Sequence, residues 1–298
     1  MQADRRRGLA LAFAGAMGGG AFVIPWKRAA EHGSVSSMVL VMLLTAAVLS
    51  SLAMLSPALR RPPPEPGSRR LLAGMSAAFA VLTLVGNSAS AAAIGVLSAP
   101  LVSVLLRTDV ILVAALGWVL LGERVTGRFW LGAGLAVVGL WVAQSPGATG
   151  AADPVGLLLA LLAALSFSAM GILTRRYIRQ VDPIALNATR LWMSVGLWFA
   201  TEGLHLPDDL TPQVIGYSAL AALIGPGIAR ICLMLSARDL EARMTAMVGI
   251  TGPLWAVVFA WVFLGTLPQQ SQLIGGGIIF IGVALPVIQR GSRSTGGR

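Results

Sequence analysis

Long apolar runs, each bounded by charged residues, Pro or Gly, recur along the chain. A bilayer-spanning helix needs about 20 such residues. Runs of that length fall at 8 to 26, 35 to 56, 71 to 94, 98 to 121, 128 to 145, 155 to 174, 184 to 202, 212 to 234, 244 to 265 and 271 to 289. The pattern predicts an all-α integral membrane protein with ten transmembrane helices. Only Gly95-Val96-Leu97 parts the third run from the fourth. Composition fits this picture: of 298 residues, 56% are hydrophobic and 11% charged. Ten spans joined by loops of ~10 residues use nearly all of that length and leave no soluble domain.

The formal charge of +10 would suit nucleic acid, but its distribution assigns it to loops. With residue 1 in the cytoplasm, the inward segments carry Arg5, Arg6, Arg7, Arg60, Arg61, Arg69, Arg70, Arg124, Arg128, Arg175, Arg176, Arg179, Arg238, Arg243, Arg290, Arg293 and Arg298; the outward segments carry only Lys27 and Arg28. The positive-inside rule explains this excess without any nucleic-acid partner. The expected location is a cell inner membrane, crossed many times, with both termini cytoplasmic and His32, His205, Asp208 and Asp209 in outward loops.

The chain also repeats itself. A shift of 148 places Gly8, Leu9, Leu11, Ala12, Ala16, Ala21 and Ile24 over Gly156, Leu157, Leu159, Ala160, Ala164, Ala169 and Ile172. A shift of 143 places Thr108, Trp118, Leu121, Gly122, Gly132, Gly134 and Gly139 over Thr251, Trp261, Leu264, Gly265, Gly275, Gly277 and Gly282. The organisation read from these shifts is a cytoplasmic N-terminus at 1–7, a first five-helix repeat at 8–146, a second at 147–289 and a cytoplasmic tail at 290–298. Five is odd, so the second half starts on the opposite side of the membrane and the repeat is inverted, an architecture of secondary transporters. Arg5-Arg6-Arg7 before an apolar stretch has the form of a secretory signal. Its counterpart at 156 onward makes it the first span instead.

The stretch Leu120-Leu121-Gly122-Glu123-Arg124, followed by Leu131-Gly132-Ala133-Gly134-Leu135 and Gly139, resembles the EamA-type signature of the drug/metabolite transporter superfamily. In that family a proline usually stands thirteen residues before the glutamate. Here the first half keeps Glu123 but has Val110 at the proline position, and the second keeps Pro253 but has Thr266 at the glutamate position. The resemblance covers about residues 8 to 289. It implies ten helices, a central cavity and metabolite efflux, with substrates across the superfamily ranging over amino acids, nucleotide sugars, sugar phosphates, cations and drugs.

Glycine spacing predicts close helix packing, through Gly15 and Gly19 in the first span and through Gly132, Gly134 and Gly139 with their repeats Gly275, Gly277 and Gly282.

Ionisable groups at membrane depth need a partner or a function. Arg107 and Asp109 fall in the fourth span, Arg190 in the seventh and Arg230 in the eighth; Asn87, under the 143 shift, lies over Arg230. Two residues on a helix differ by roughly 200°, so Arg107 and Asp109 cannot share a face; Asp109 is expected to be neutralised by Arg190 or Arg230. Asn187, Arg190, Ser194 and Trp198 form one stripe, and Thr83, Asn87 and Ser90 another. Each stripe either lines a cavity or bonds across helices. Arg230 either belongs to the same cavity or snorkels to headgroups. Trp192, Trp255 and Trp261 are open between cavity wall and lipid or core positions, and Glu123 with Arg124 between a site and a solvated pair.

Three arginines against one aspartate within the spans favour a carboxylate, phosphate or zwitterion. The substrate-binding set is therefore Arg107, Arg190, Asn187, Asn87, Ser194 and Trp198, with Arg107 and Arg190 as anion anchors. Asp109 and Arg230 are left as an ion pair or as the coupling group. No metallopeptidase HExxH and no phosphate loop for ATP occurs, and Cys232 is alone. No catalytic residue, metal or cofactor is expected. The reading is a secondary transporter exporting small polar metabolites, amino acids or other zwitterionic or anionic solutes, by alternating access. The expected partners are that small molecule and the bilayer, with proton coupling, if present, through Asp109 and a monomeric or homodimeric state. A flippase or membrane enzyme acting on lipid-linked phosphates is the alternative, and a membrane scaffold, in which Arg107 and Asp109 serve stability alone, a third.

Overall fold

The computed structural model describes residues 2–56, 68–106, 108–109, 111–112, 115–116, 119, 127–143, 153–177, 180–240, 248–249, 251–265 and 270–287. Among these residues the chain is helical, with no strand. The first apolar run forms α1 (Gln2–Ala21) and α2 (Val23–Ala30), interrupted at Phe22. Next come α3 (Val35–Met54), α4 (Ser68–Val96), α5 (Ala99–Leu106) and α6 (Gly127–Ala143). The second half holds α7 (Pro154–Tyr177), α8 (Pro183–Glu202) and α9 (Pro212–Ala222), the last continuing through a π-helical turn (Leu223–Ala229) into α10 (Arg230–Asp239). Helices α11 (Gly252–Leu264) and α12 (Gln270–Val287) complete it. Five described helical stretches, Arg6–Ala30, Val35–Met54, Arg69–Val96, Pro154–Thr174 and Pro212–Ser236, are long and apolar enough to cross a membrane, and Leu254–Leu264 and Leu273–Gly282 are shorter apolar helices.

Helix starts follow local chemistry. Asp182 Oδ1 accepts the N–H groups of Ile184 and Ala185 ahead of α8, and Asp153 Oδ1 those of Val155 and Gly156 at the start of α7. Pro183 and Pro212 stand in first turns, where a missing N–H costs nothing. Gly265 ends α11 in the left-handed region at φ 63°, the conformation that favours glycine. Lys27 and Arg28, the basic residues in the last turn of α2, have local partners. Lys27 Nζ donates to the Ile94 and Gly95 carbonyls at 2.7 and 3.2 Å, capping the end of α4, and Arg28 pairs with Glu31 at 3.0 Å.

Helix α4 packs on α7 and α8, α3 on α8 and α9, α1 on α10 and α11, α5 on α7 and α11, and α6 on α12. In lipid such seams rest on close van der Waals fit and not on expulsion of water, so small residues decide them. A Cβ at Gly139 would lie 2.6 Å from the Gly275 carbonyl oxygen and 2.7 Å from the Ile279 nitrogen. Gly132, Gly139, Gly275 and Gly282 are buried, whereas Gly134 and Gly277 face outward. The expected step through Gly15 and Gly19 is corrected: Gly15 meets Leu233, but Gly19 has open space, and it is Gly18 and Gly20 that approach Ala229 and the Gly252 carbonyl. A helix turns 100° per residue, so Gly18 and Gly20 sit on different flanks of α1.

At the end of the bundle where α3 begins, Asp209 Oδ2 accepts the Ser34 N–H and, at 3.1 Å, the Ser37 hydroxyl, tying the α8–α9 connection to α3. Glu202 accepts from the Ser36 hydroxyl at 2.9 Å. The Ser34 N–H, followed by the Ser34 and Ser37 side chains, holds the Asp209 carboxyl below the usual carboxylate range, against a smaller opposing effect of burial.

Two expectations follow from these contacts. Gly139→Ala should cost about 1–3 kcal/mol by forcing α6 from α12, while Gly277→Ala, whose Cβ meets nothing within 4 Å, should leave melting unchanged or slightly raised. Thermal melting of the two purified variants separates them. The Asp209 pKa is depressed in the folded protein, so its stabilising contribution is present at neutral pH and lost as pH falls through the folded value. Asp209→Asn should therefore flatten the acid side of the stability profile, read as melting temperature against pH.

Candidate functional site

Arg190, a charged side chain on α8 with 2% of its surface exposed, lies two turns or roughly 10 Å into the helix. Its Nε and Nη2 both donate to Asn187 Oδ1, at 2.9 and 2.7 Å, and its Nη1 donates to the Thr83 hydroxyl on α4. The Asn187 amide nitrogen faces the other way, donating to Ser50 Oγ on α3 at 2.7 Å and to the Pro226 carbonyl at 3.3 Å. Ser194 donates to the Ala80 carbonyl on α4 and to that of Arg190, and Ser76 meets Thr189 at 2.6 Å. Asn187, Arg190 and Ser194 thus bond across helices, one of the two alternatives left open for their stripe. Asn87, 7% exposed, donates to the Thr83 carbonyl within α4.

The second arginine stands beside a break. Gly225-Pro226-Gly227 lies inside the π-helical turn, where Pro226 has no N–H to give to its preceding turn. The Arg230 N–H reaches back five residues to the Gly225 carbonyl. A Cβ at Gly225 would lie 2.5 Å from the Phe22 ring, so the interruption between α1 and α2 and the π-helical turn meet face to face. Such wide turns concentrate at functional sites. Arg230 Nε and Nη2 are screened from solvent and have no hydrogen-bond partner among the described residues. Electrostatically, Arg230 is within reach of both the Arg190 and the Asp109 charges. Ser168 on α7 donates to the Asp109 carbonyl at 3.2 Å. Arg107, Glu123 and Arg124 lie outside the described residues.

Trp198, 2% exposed and T-stacked on Phe199 at 5.0 Å, leads to the acidic end. Two adjoining cavities of about 340 and 350 Å³ share Ser34, Ser36, Trp198 and Glu202, and the first also reaches His205, Asp208 and Asp209. Trp192, 47% exposed, bonds to Ser51, and Trp261 is 60% exposed, so both face outward. Among the described residues no cluster of His, Cys, Asp and Glu could hold a metal.

Sequence reasoning missed Ser50 and the Pro226 carbonyl. Gly-Pro-Gly within an apolar run, three residues before an arginine, was a legible sign of the second. Ser50 carried none, since one serine in an apolar helix ordinarily bonds its own preceding turn.

Among curated proteins, an uncharacterized transporter of Bacillus subtilis (strain 168), YwfM, is 24% identical over 174 residues, 58% of this chain. The match spans 59% of that relative's length. A solved crystal structure, described only as that of a protein, superposes with a TM-score of 0.64 over 97% of this chain and 99% of the other at 16% identity, a likeness of fold alone. The sequence model of the EamA-like transporter family matches residues 6–144 and 154–288, and the chain therefore belongs to that family and is a multi-pass membrane protein.

Proposed function

We propose that this chain is a secondary transporter that exports small anionic or zwitterionic metabolites by alternating access, built as ten spans in two inverted repeats, in an inner membrane with both termini cytoplasmic. The observation that carries the substrate class is the charge of the buried polar cluster. Arg190 and Arg230 face one another's field, and among the described residues Asp109 is the acidic charge acting on Arg230. Buried charge without a matching counter-charge is expensive, and an anionic solute relieves it.

The helix pairing supports the inverted repeat. Exchanging the halves turns α4 on α7 into α10 on α1, α4 on α8 into α9 on α3, and α5 on α7 into α11 on α1, while α3–α8, α5–α11 and α6–α12 map onto themselves. At the crossings, Gly18 lies against Ala229 and Ser166 against Gly86. These are the same positions under the 148 and 143 shifts. Two quasi-equivalent halves of this kind can exchange conformations around one site.

Charge at the two ends supports export. Arg6, Arg7, Arg69, Arg70 and Arg176 are exposed at one end, and Glu202, Asp208 and Asp209 cluster at the other. With the arginine end cytoplasmic, an anion is attracted on the inside and repelled from the outside mouth.

In proteoliposomes, counterflow of labelled alanine, lactate, a sugar phosphate and tetraethylammonium is expected to show accumulation of the zwitterion or an anion above protein-free vesicles. Accumulation of the cation alone would refute the substrate class. Orientation is checked separately: a cysteine at Asp208, in a Cys232→Ser background, should react with an impermeant maleimide added to intact cells, and protection there would invert the topology. If protons couple through Asp109, Asp109→Asn should remove the response of transport to an imposed pH gradient.

A further inference from the structure

We propose that the Nε–Nη2 edge of Arg230 is the binding fork of the central site and that its ligand is the carboxylate of a solute carrying one negative charge there. This rests on the transport reading above for its physiological meaning, though not for its chemistry.

Nε and Nη2 are the two donors along one edge of a guanidinium, set parallel at the spacing of two oxygens on a single carbon or phosphorus. In Arg230 both are buried away from solvent, and neither meets an acceptor among the described residues. The same edge in Arg190 shows how this fold satisfies a guanidinium from within: Nε and Nη2 converge on Asn187 Oδ1, and Nη1 is held by Thr83. Each nitrogen of the Arg190 side chain thus already has an acceptor, which moves the anion anchor from Arg190, chosen from the sequence together with Arg107, to Arg230. The repeat supplies no partner either, because Asn87, the position equivalent to Arg230, donates to its own helix at the Thr83 carbonyl.

Snorkelling does not account for these two donors. A snorkelling arginine carries its donors to water and headgroups, whereas these two atoms are screened. The location also suits binding. Arg230 is the first residue after the π-helical turn, and its own N–H closes that turn on the Gly225 carbonyl. A ligand on the fork therefore pulls on the break, which Asn187 holds through the Pro226 carbonyl and Phe22 covers at Gly225. Arg230 lies within reach of the Arg190 charge and of the Asp109 charge, and a carboxylate answers its two-donor edge with two oxygens on one carbon and a single negative charge.

The test uses the full-length purified protein and a panel of probes: acetate, lactate, alanine, glutamate and benzoate, each beside its carboxamide, together with inorganic phosphate. Melting-temperature shifts in detergent report binding, and counterflow in proteoliposomes reports transport. At least one carboxylate should stabilise the wild type while its carboxamide does not. Arg230→Lys, which keeps the charge but replaces the two-donor edge with a point charge, should weaken that carboxylate roughly tenfold or more. Arg230→Gln should bring carboxylate and carboxamide to the same weak level. No carboxylate-specific shift across the panel, a preference for phosphate, or an Arg230→Lys variant that binds like the wild type would each overturn the fork. The wild-type comparison of acid and amide needs no variant, so a failure of Arg230→Gln to fold leaves the answer intact. Carboxylate binding without counterflow would reject the transport reading and keep the fork; counterflow of a carboxylate unchanged by Arg230→Lys would do the reverse.

Discussion

A guanidinium at membrane depth must find acceptors, and Arg190 finds them in an amide and a hydroxyl, with no carboxylate among its hydrogen-bond partners. Asn187 Oδ1 and Thr83 Oγ1 take all three donating nitrogens of its side chain. The choice has two consequences. Geometrically, α8 cannot slide on α4 or α3 without stripping a buried charge of its partners, which is far costlier than losing a surface contact. Electrostatically, neutral acceptors satisfy the donors and leave the positive charge in place. Among the described residues, the core is thus held together by a group that it does not neutralise, and that residual charge is what the proposed solute answers.

The same network reaches the part of the fold able to bend. Pro226 removes a helical hydrogen bond, and glycines on either side remove the side chains that would stiffen the turn. Freed carbonyls in lipid need donors. Asn187 meets the Pro226 carbonyl from α8, so a single side chain links the Arg190 guanidinium, Ser50 on α3 and the turn that precedes Arg230. The two halves are not identical at this level. Where Gly18 meets Ala229, the quasi-equivalent contact pairs Ser166 with Gly86, and the Phe167 ring lies 2.8 Å from where a Gly86 Cβ would stand. The π-helical turn has no counterpart in the equivalent helix: α4 runs without interruption from Ser68 to Val96.

Much of this was legible before any coordinates. Apolar run length located the described helices because hydrocarbon thickness sets the length of a span, and α3 and α8 fall within two residues of their expected limits. Helical period placed Asn187, Arg190 and Ser194 on one face. It could not say which helix that face meets, because interhelical partners depend on packing, and so Thr83 and Ser50 as acceptors came only with the structure. The glycine pairing of Gly15 with Gly19 failed for a related reason. Spacing identifies residues that share a flank of a helix, while the crossing angle and the neighbour decide which flank is covered; here Gly18 and Gly20 are covered and Gly19 is not. Lys27 looked like an exception to the charge rule until its role as a cap on α4 supplied the cause.

Fields along the transport axis also bear on direction, within a limit set by thermodynamics. With the termini cytoplasmic, as proposed, an anionic solute moves from arginines at one end, through the positive cluster of Arg190 and Arg230, toward Glu202, Asp208 and Asp209 at the other. A static field cannot drive net flux, since it changes forward and reverse rates together; the solute gradient or a coupled ion does that. What the field does set is asymmetry of affinity. The mouth lined by Glu202 and Asp208 disfavours rebinding of an anion from outside, and the exposed arginines favour its capture from inside. A carrier built this way is saturable on the side where its solute is made and poorly inhibited by solute already released. That is a property useful to an exporter, and it would be a handicap for uptake.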